Sequence, residues 1–552
     1  METRTLLAVI LSIAVLAVFQ YFFGSQMPSQ MGANATNNTT AGAPKQAALQ
    51  ETPPLDKAPV KNLARLAALP EEESAPGKDV TVETPYFRAV LTETGGNFKH
   101  FVLKKYKQTL EKDSPGVELV NVSPPLLPLG VQISSGKILD LRARHFSADR
   151  EKIDLTGPRT QATLTFTAEL GQGASLKKVI TFHKDLYRME LSMEISGASA
   201  DEYTLFMYNR PYKESTTYVF SGPSYYSAKG GLQEVSLKEP GERHEYTGNL
   251  DWMAYGDNYF MMAVVPEITQ GPWKMVITKL DKDDTTQTSL NHSINQSVTG
   301  TGTLKFCKMN LYFGPKEIDR LKSAGHNLEK AINFGWFDPI AKPLLYVLNF
   351  FYKYIHNYGW AIIVLTILIK IAFWPLAHKS AKSMKTMQKL QPKLQKLKEK
   401  YGDDKERMNK ELMQLYKTYK VNPMSGCMPM LLQIPVFFAL YKVLLQAIEL
   451  RHAPFLLWIN DLSAPDRLMI PGVDVPMLGG IPVLTLLMGA SMYFQQKMSP
   501  SSLDPTQAKM MQLLPVVFTF MFINFPSGLV LYWLVNNILS IVQQYYVNKF
   551  TE

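Results

Sequence analysis

One charge stands inside an otherwise uncharged run: Lys370 in YGWAIIVLTILIKIAFWPLA, Tyr358 to Ala377. At about 1.5 Å of rise per residue this run makes a helix about 30 Å long, the thickness of one hydrocarbon core. Trp360 and Trp374 stand near its ends, where aromatic belts form. Lys370 then lies about 10 Å inside the Ala377 end. A cation at that depth costs about 2.5–3.5 kcal/mol on insertion scales, so it either serves a buried site or snorkels to the nearer headgroups.

Other polar residues recur in the neighbouring apolar segments. Thr366 precedes Lys370 by one helical turn, and Tyr532, Asn536, Ser540 and Gln544 repeat every fourth residue. Gln433 sits between Pro429 and Pro435, with Phe437 one turn on. None of these apolar segments holds an Asp or Glu that could neutralise Lys370. Such a set supports a hydrated intramembrane cavity that attracts an anionic or dipolar visitor, although a single Gln or Asn also commonly bonds a neighbouring helix. There is no HExxH, CxxC, GxSxG or glycine-rich phosphate loop, so no catalytic, metal or cofactor site is expected and the chain does not read as an enzyme.

The elements that would position these residues follow from composition and charge. Residues 1–24 pair a basic start (Arg4) with an apolar run whose aromatic end argues for an uncleaved anchor, cytoplasmic at its N-terminus. Residues 25–78 are rich in Ala, Pro, Asn, Thr and Glu, the composition of a disordered tether. From 79 to 333, short alternating runs such as KKVITFHKDLYRMELSMEIS predict a large exported antiparallel β-sandwich closed by a helix, with turns at Gly95-Gly96, Gly157-Pro158, Gly222-Pro223 and Gly230-Gly231. Residues 334–355 mix aromatics with Lys342 and Lys353 and predict an amphipathic helix in the membrane interface.

Spans are predicted at 356–377, 426–448, 475–495, 510–525 and 529–547, making six with the anchor and a core bundle of five. The net charge of +10 is concentrated in 378–425, whose lysines place that segment in the cytoplasm. Its two apolar stripes, Met384 to Tyr401 and Met408 to Tyr419, predict a helical hairpin turning at Gly402 to Asp404, with Pro392 ending, bending or restarting the first helix. That basic surface suits anionic lipid, ribosomal RNA or a partner protein, or simply fixes topology. The links alternate: 449–474 periplasmic, 496–509 cytoplasmic, 526–528 a tight periplasmic turn and 548–552 a cytoplasmic tail. Cys307 and Cys427 then lie on opposite sides of the membrane, which excludes a disulfide between them.

Several of these stretches resemble the YidC membrane protein insertase family: NPMSGCMPMLLQIPVFFALY (Asn422 to Tyr441), LWINDLSAPD (Leu457 to Asp466), QQKMSP (Gln495 to Pro500) and FPSGLVLYWLVNNILSIVQQ (Phe525 to Gln544). The resemblance covers essentially the whole chain, in the arrangement of the Gram-negative members. It implies an inner-membrane insertase and chaperone, working alone or with the Sec translocon through a hydrophilic groove open to the cytoplasm. It also implies a supersandwich-like periplasmic domain, with nascent membrane proteins, the translocon, translating ribosomes and the lipid bilayer as partners. By that resemblance Thr366 and Lys370 line the groove and Gln433, Phe437, Tyr532 and Trp533 form the surface that substrates touch, with Asn536 counted among the groove and contact-face residues. The family usually has arginine where this chain has Lys370, and tyrosine is common where it has Trp533. A transporter or channel for a small anion is the competing expectation; internal repeats and broken helices, its usual marks, are not evident.

Overall fold

The computed structural model describes residues 77–135, 137–211, 219–267, 272–294, 303–401, 404–419, 428–472, 475, 478–498 and 505–550. The expected anchor at 1–24, nearly all of the 25–78 tether, Gly402-Asp403 of the hairpin turn and Cys427 lie outside these residues.

Strict alternation builds the β domain. Along Arg188–Ser196 the residues Met189, Leu191, Met193 and Ile195 point inward between exposed or half-exposed neighbours, so one face of the strand is apolar and must be covered. This strand lies in a nine-stranded sheet beside Ala174–His183 and the long Thr303–Pro315. A six-stranded sheet packs on it through Tyr203 against Phe306, ring centroids 5.2 Å apart. A five-stranded sheet does so through Phe98 and Phe101 against Phe313, both at 5.3 Å. The expectation of a purely antiparallel sandwich is corrected at one place: Thr81 to Glu83 pair in parallel with Lys152 to Asp154. Gly222-Pro223 is also no turn; it opens the strand Gly222–Ser227, where a proline at the start removes no interior ladder bond.

Lys178 breaks the alternation rule. It occupies an inward position on Ala174–His183 and is fully buried. Its Nζ donates to the carbonyls of Gly95 (2.7 Å), Gly96 (3.1 Å) and Leu129 (2.7 Å). Gly95 and Gly96 hold φ of 73° and 60°, and a Cβ on Gly95 would meet the Arg142 carbonyl at 2.3 Å, so only glycine turns the chain tightly enough to present those oxygens. Burial pushes the Lys178 ammonium down to about 7.

Eight helices among the described residues complete the chain. Helix α1 (Ile318–Ala324) lies against the β domain and α2 (Asp338–Ile355) follows it. Helix α3 (Tyr358–Tyr401) continues through Pro375 and Pro392, so that of the end, bend or restart expected at Pro392 neither the end nor the restart occurs. Packing carries it onward: Met387 and Leu390 are buried, with Leu394 and Tyr416 against them, Tyr416 coming from α4 (Lys405–Thr418). The remaining helices are α5 (Met428–Gln446), α6 (Val483–Met498), α7 (Pro505–Phe522) and α8 (Ser527–Phe550). Helix α6 starts well after residue 475, because Gly479-Gly480 and Pro482 keep the preceding backbone out of the helix. Among the described residues one helical stretch, Tyr358–Ser380, is long and apolar enough to cross a membrane, where five spans were expected; Gln433–Gln446 and Gln512–Phe522 are shorter apolar stretches. Helix α8 packs on α3, α5 and α6, α2 packs on α3 and α5, and α6 packs on α7. The α6–α7 crossing is close: a Cβ on Gly489 would lie 2.0 Å from Thr519 Oγ1.

The segment after α5 seats the bundle on the β domain. The Arg451 guanidinium donates to the carbonyls of Lys107 (2.7 Å) and Gln108 (3.1 Å) and lies over the Tyr259 and Phe260 rings. Next to it, Glu449 accepts from Asn349 Nδ2 of α2 at 3.4 Å, and Asn349 accepts from Tyr358 Oη at 3.3 Å. Burial pushes the Glu449 carboxyl up to about 7, with the Glu317 and Asp319 charges adding to the effect. Between its ordinary 4.5 and about 7 the folded chain keeps a proton that the unfolded chain has released, so stability falls as pH rises through that interval. Glu449→Gln is expected to flatten this fall and to stabilise the full-length protein at pH 8 by at most about 3 kcal/mol. Thermal unfolding in detergent from pH 4.5 to 8, parent against variant, measures both effects.

Candidate functional site

Helices α3, α5 and α8 meet through a line of polar side chains. Lys370 Nζ donates to Ser540 Oγ at 2.7 Å, and Ser540 Oγ donates to the Asn536 carbonyl of its own helix at 2.7 Å. From α5, Gln433 Nε2 donates to Asn536 Oδ1 at 2.8 Å and approaches Tyr532 Oη at 3.5 Å. The i, i+4 spacing of Tyr532, Asn536 and Ser540 stacks them on one face of α8, which is why a single helix partners both neighbours. Among the described residues no carboxylate lies within ion-pair distance of Lys370, and its partner is a neutral hydroxyl.

A second cluster occupies the half of the bundle nearer the β domain. The Trp533 ring meets Phe437 edge-on at 4.7 Å and packs on Phe522 at 5.0 Å and Phe518 at 5.7 Å. Phe437 stacks in turn towards Tyr441, which touches Phe525. Aromatic pairs of this kind contribute about 0.5–1.5 kcal/mol each beyond their buried area, so Trp533 and Phe437 knit α5, α7 and α8 together on that side.

Of the seven residues expected from sequence, four share the polar line (Lys370, Gln433, Tyr532, Asn536) and two share the aromatic cluster (Phe437, Trp533). Thr366 joins neither: it is buried, and its hydroxyl returns to the Ile362 carbonyl of its own helix at 2.7 Å. Ser540 belongs in the set, and its place four residues after Asn536 was the signal for it. Asn537 also acts, donating to Ser491 Oγ of α6 at 3.0 Å. Nothing in the spacing marked it, because its partner is 46 residues away.

The bundle's end beside the β domain is closed by side chains of the segment between α5 and α6. Buried Asp466 accepts from Trp458 Nε1 at 2.6 Å and caps α6 by accepting from the backbone N–H groups of Leu484 (2.5 Å) and Thr485 (3.2 Å). Arg467 donates to the carbonyls of Leu478 (2.8 Å) and Ile523 (2.9 Å) and to Asn524 Oδ1 (2.8 Å). Irregular backbone near a membrane needs its polar groups satisfied, and these two residues do that.

These features define a class: an α-helical membrane protein carrying a large, mostly β-sheet domain. The family model for the YidC periplasmic domain matches residues 79–347, and that for the 60Kd inner membrane protein matches residues 350–552. The membrane protein insertase YidC of Syntrophus aciditrophicus is 43% identical over 561 residues, covering 100% of both chains. That of Syntrophobacter fumaroxidans is 41% identical over 561 residues, again covering 100% of both. The crystal structure of YidC from Thermotoga maritima is 14% identical, covering 84% of this chain and 99% of that one with a TM-score of 0.32. On the sequence matches, the chain belongs to the YidC family of membrane protein insertases.

If the Lys370–Ser540 bond persists in detergent or bilayer, Lys370→Met and Ser540→Ala are coupled. A double-mutant cycle on unfolding is expected to return about 1 kcal/mol of interaction. A coupling indistinguishable from zero would mean that the ammonium leaves Ser540 for water.

Proposed function

We propose that this protein inserts and folds inner-membrane proteins, using Lys370 as a fixed cation in a hydrophilic groove open to the cytoplasm. The observation that carries the reading is the neutral partner of Lys370. A lysine whose one partner among the described residues is Ser540 leaves its potential to act on whatever passes, and the full-length relatives are insertases.

The physical problem is to move a polar flank across hydrocarbon. Polar groups that lose water without replacement raise the barrier by several kcal/mol each. A polar line reaching partway across shortens the dry path, and a cation at its end favours acidic flanks. The apolar segment of the substrate then leaves along the bundle, over the half-buried Phe437 and Trp533, into lipid, while Tyr532 is buried behind them. With no nucleotide needed, burial of that segment supplies the free energy, about 25 cal/mol per Å² of apolar surface.

This reading takes the membrane part as six spans, an N-terminal anchor plus a five-helix bundle, with both termini cytoplasmic, the β domain periplasmic and the α3–α4 hairpin in the cytoplasm. The lysines of that hairpin support the orientation. Nascent membrane proteins are the substrates; the Sec translocon and translating ribosomes are the proposed partners.

Insertion of a single-span substrate with an acidic exported flank into proteoliposomes tests the role of the cation. Lys370→Ala and Lys370→Glu are expected to reduce insertion at least about tenfold, the equivalent of 1.4 kcal/mol on the barrier, while Lys370→Arg preserves it. Equal insertion by all four proteins would make Lys370 a snorkelling anchor. Solute flux through the empty vesicles, with no polypeptide present, would favour a transporter instead.

A further inference from the structure

The segment between α5 and α6 carries an apolar tip that nothing else in the described chain covers. Leu457 is 86% exposed and Leu456 45% exposed. They sit in a tight turn in which Ile459 N–H donates to the Leu456 carbonyl at 3.1 Å and Phe455 N–H donates to the Ile459 carbonyl at 2.9 Å. Leu457 holds φ of 57°, a left-handed conformation in which its Cβ is crowded and which glycine or asparagine adopts with less strain. No packing among the described residues compensates a leucine there, because its side chain is exposed.

The turn is nevertheless fixed. The Phe455 ring lies over Gly359, where a Cβ would stand 2.0 Å from it, and meets Trp360 edge-on at 5.9 Å. Asn357 Nδ2 donates to the Phe455 carbonyl at 3.2 Å. The tip therefore stands level with the first turn of α3, the helix able to cross a bilayer, and beside exposed Trp360. From there the exposed apolar surface continues along α3 through Ile367, Leu368 and Ile371. The first acidic residue after the tip is turned back into the loop, Asp461 Oδ1 accepting from Ser463 N–H at 2.8 Å and from its hydroxyl at 2.7 Å.

We propose that Leu456 and Leu457 dip into the outer leaflet on the β domain's side as a lipid-embedded anchor, with phospholipid acyl chains as their partner. The inference rests on α3 spanning the bilayer. Continuity with the lipid-facing surface of α3 selects lipid as the occupant. The consequence is mechanical: the tip pins to the bilayer the same segment that supplies Asp466 and Arg467, so the closure of the bundle's end is referenced to the membrane surface.

The test uses the full-length protein with Cys427→Ser, buried Cys307 left in place, in phosphatidylethanolamine–phosphatidylglycerol vesicles. Leu457→Cys carries a nitroxide, and its collisions with oxygen are compared with those with a water-soluble nickel chelate. Ile371→Cys gives the lipid reference and exposed Leu110→Cys, in the β domain, the aqueous one. Leu456→Cys serves as a second tip site that does not depend on the left-handed residue. The expected result is an oxygen-favoured ratio at both tip sites, matching Ile371→Cys. A nickel-favoured ratio at the tip with an oxygen-favoured one at Ile371→Cys overturns the anchor while leaving the span intact. A nickel-favoured ratio at Ile371→Cys removes the span and the anchor with it. Shielding of the tip only while a substrate chain is being inserted makes the occupant a polypeptide and overturns the lipid assignment.

Discussion

An ammonium placed within a membrane-spanning helix must find a hydrogen-bond acceptor or the helix will not stay where it is. Here the acceptor is Ser540 Oγ at 2.7 Å, and that one bond constrains much else. It holds α3 against α8; the Ser540 hydroxyl is anchored by the Asn536 carbonyl, and the Asn536 side chain accepts from Gln433 on α5. Every acceptor in the line is neutral. A carboxylate in place of Ser540 would bond more strongly but cancel the charge. With the charge left standing, a passing carboxylate about 8 Å away gains about 2 kcal/mol at an effective dielectric constant of 20. On the proposed reading that is enough to bias which flank enters and too little to trap it.

The β domain obeys the opposite rule. Its core is apolar and aromatic, and the fully buried Lys178 donates to the backbone carbonyls of Gly95, Gly96 and Leu129, with Asn97 Oδ1 beside them. The same residue type is thus structural in one half and available in the other. The difference lies in its acceptors: the carbonyls of a glycine turn belong to a packed wall, whereas a serine hydroxyl on a helix face can exchange its partner for water or for a substrate group.

Much of this was legible because the signals are local. A lone lysine in an apolar run, a four-residue repeat of polar side chains and a two-residue alternation each need only a short window. Lys370, Asn536, Gln433 and the strands of the nine-stranded sheet were found in that way. What escaped depends on distant partners. Lys178 reads as a surface residue until the turn at Gly95-Gly96 is folded over it, and the parallel pairing of Thr81–Glu83 with Lys152–Asp154 is a matter of topology. Pro392 carries a strong breaking tendency, yet α3 passes through it because Met387, Leu390 and Leu394 on one side and Tyr416 on the other gain more by continuing. Thr366 shows the converse: its spacing from Lys370 was right, but a threonine hydroxyl reaches its own helix's carbonyl more easily than a neighbour.

The order of clusters along the bundle accounts for how a polar path can stop partway. Moving along α8 from Ser527, at the β-domain end, the chain first presents Trp533 to Phe437, Phe518 and Phe522, then Asn536 to Gln433, then Ser540 to Lys370. Interlocked rings fill the first third, and the Asp466 and Arg467 contacts satisfy the backbone beyond them. Hydrogen-bonding side chains take over only further along. An apolar plug at one end and a polar lining at the other is an arrangement that water can enter from one side without a continuous wire of polar groups forming across the membrane. On the proposed reading the aromatic cluster and the lysine are two parts of one device, the first keeping the bilayer sealed so that the second can be wet.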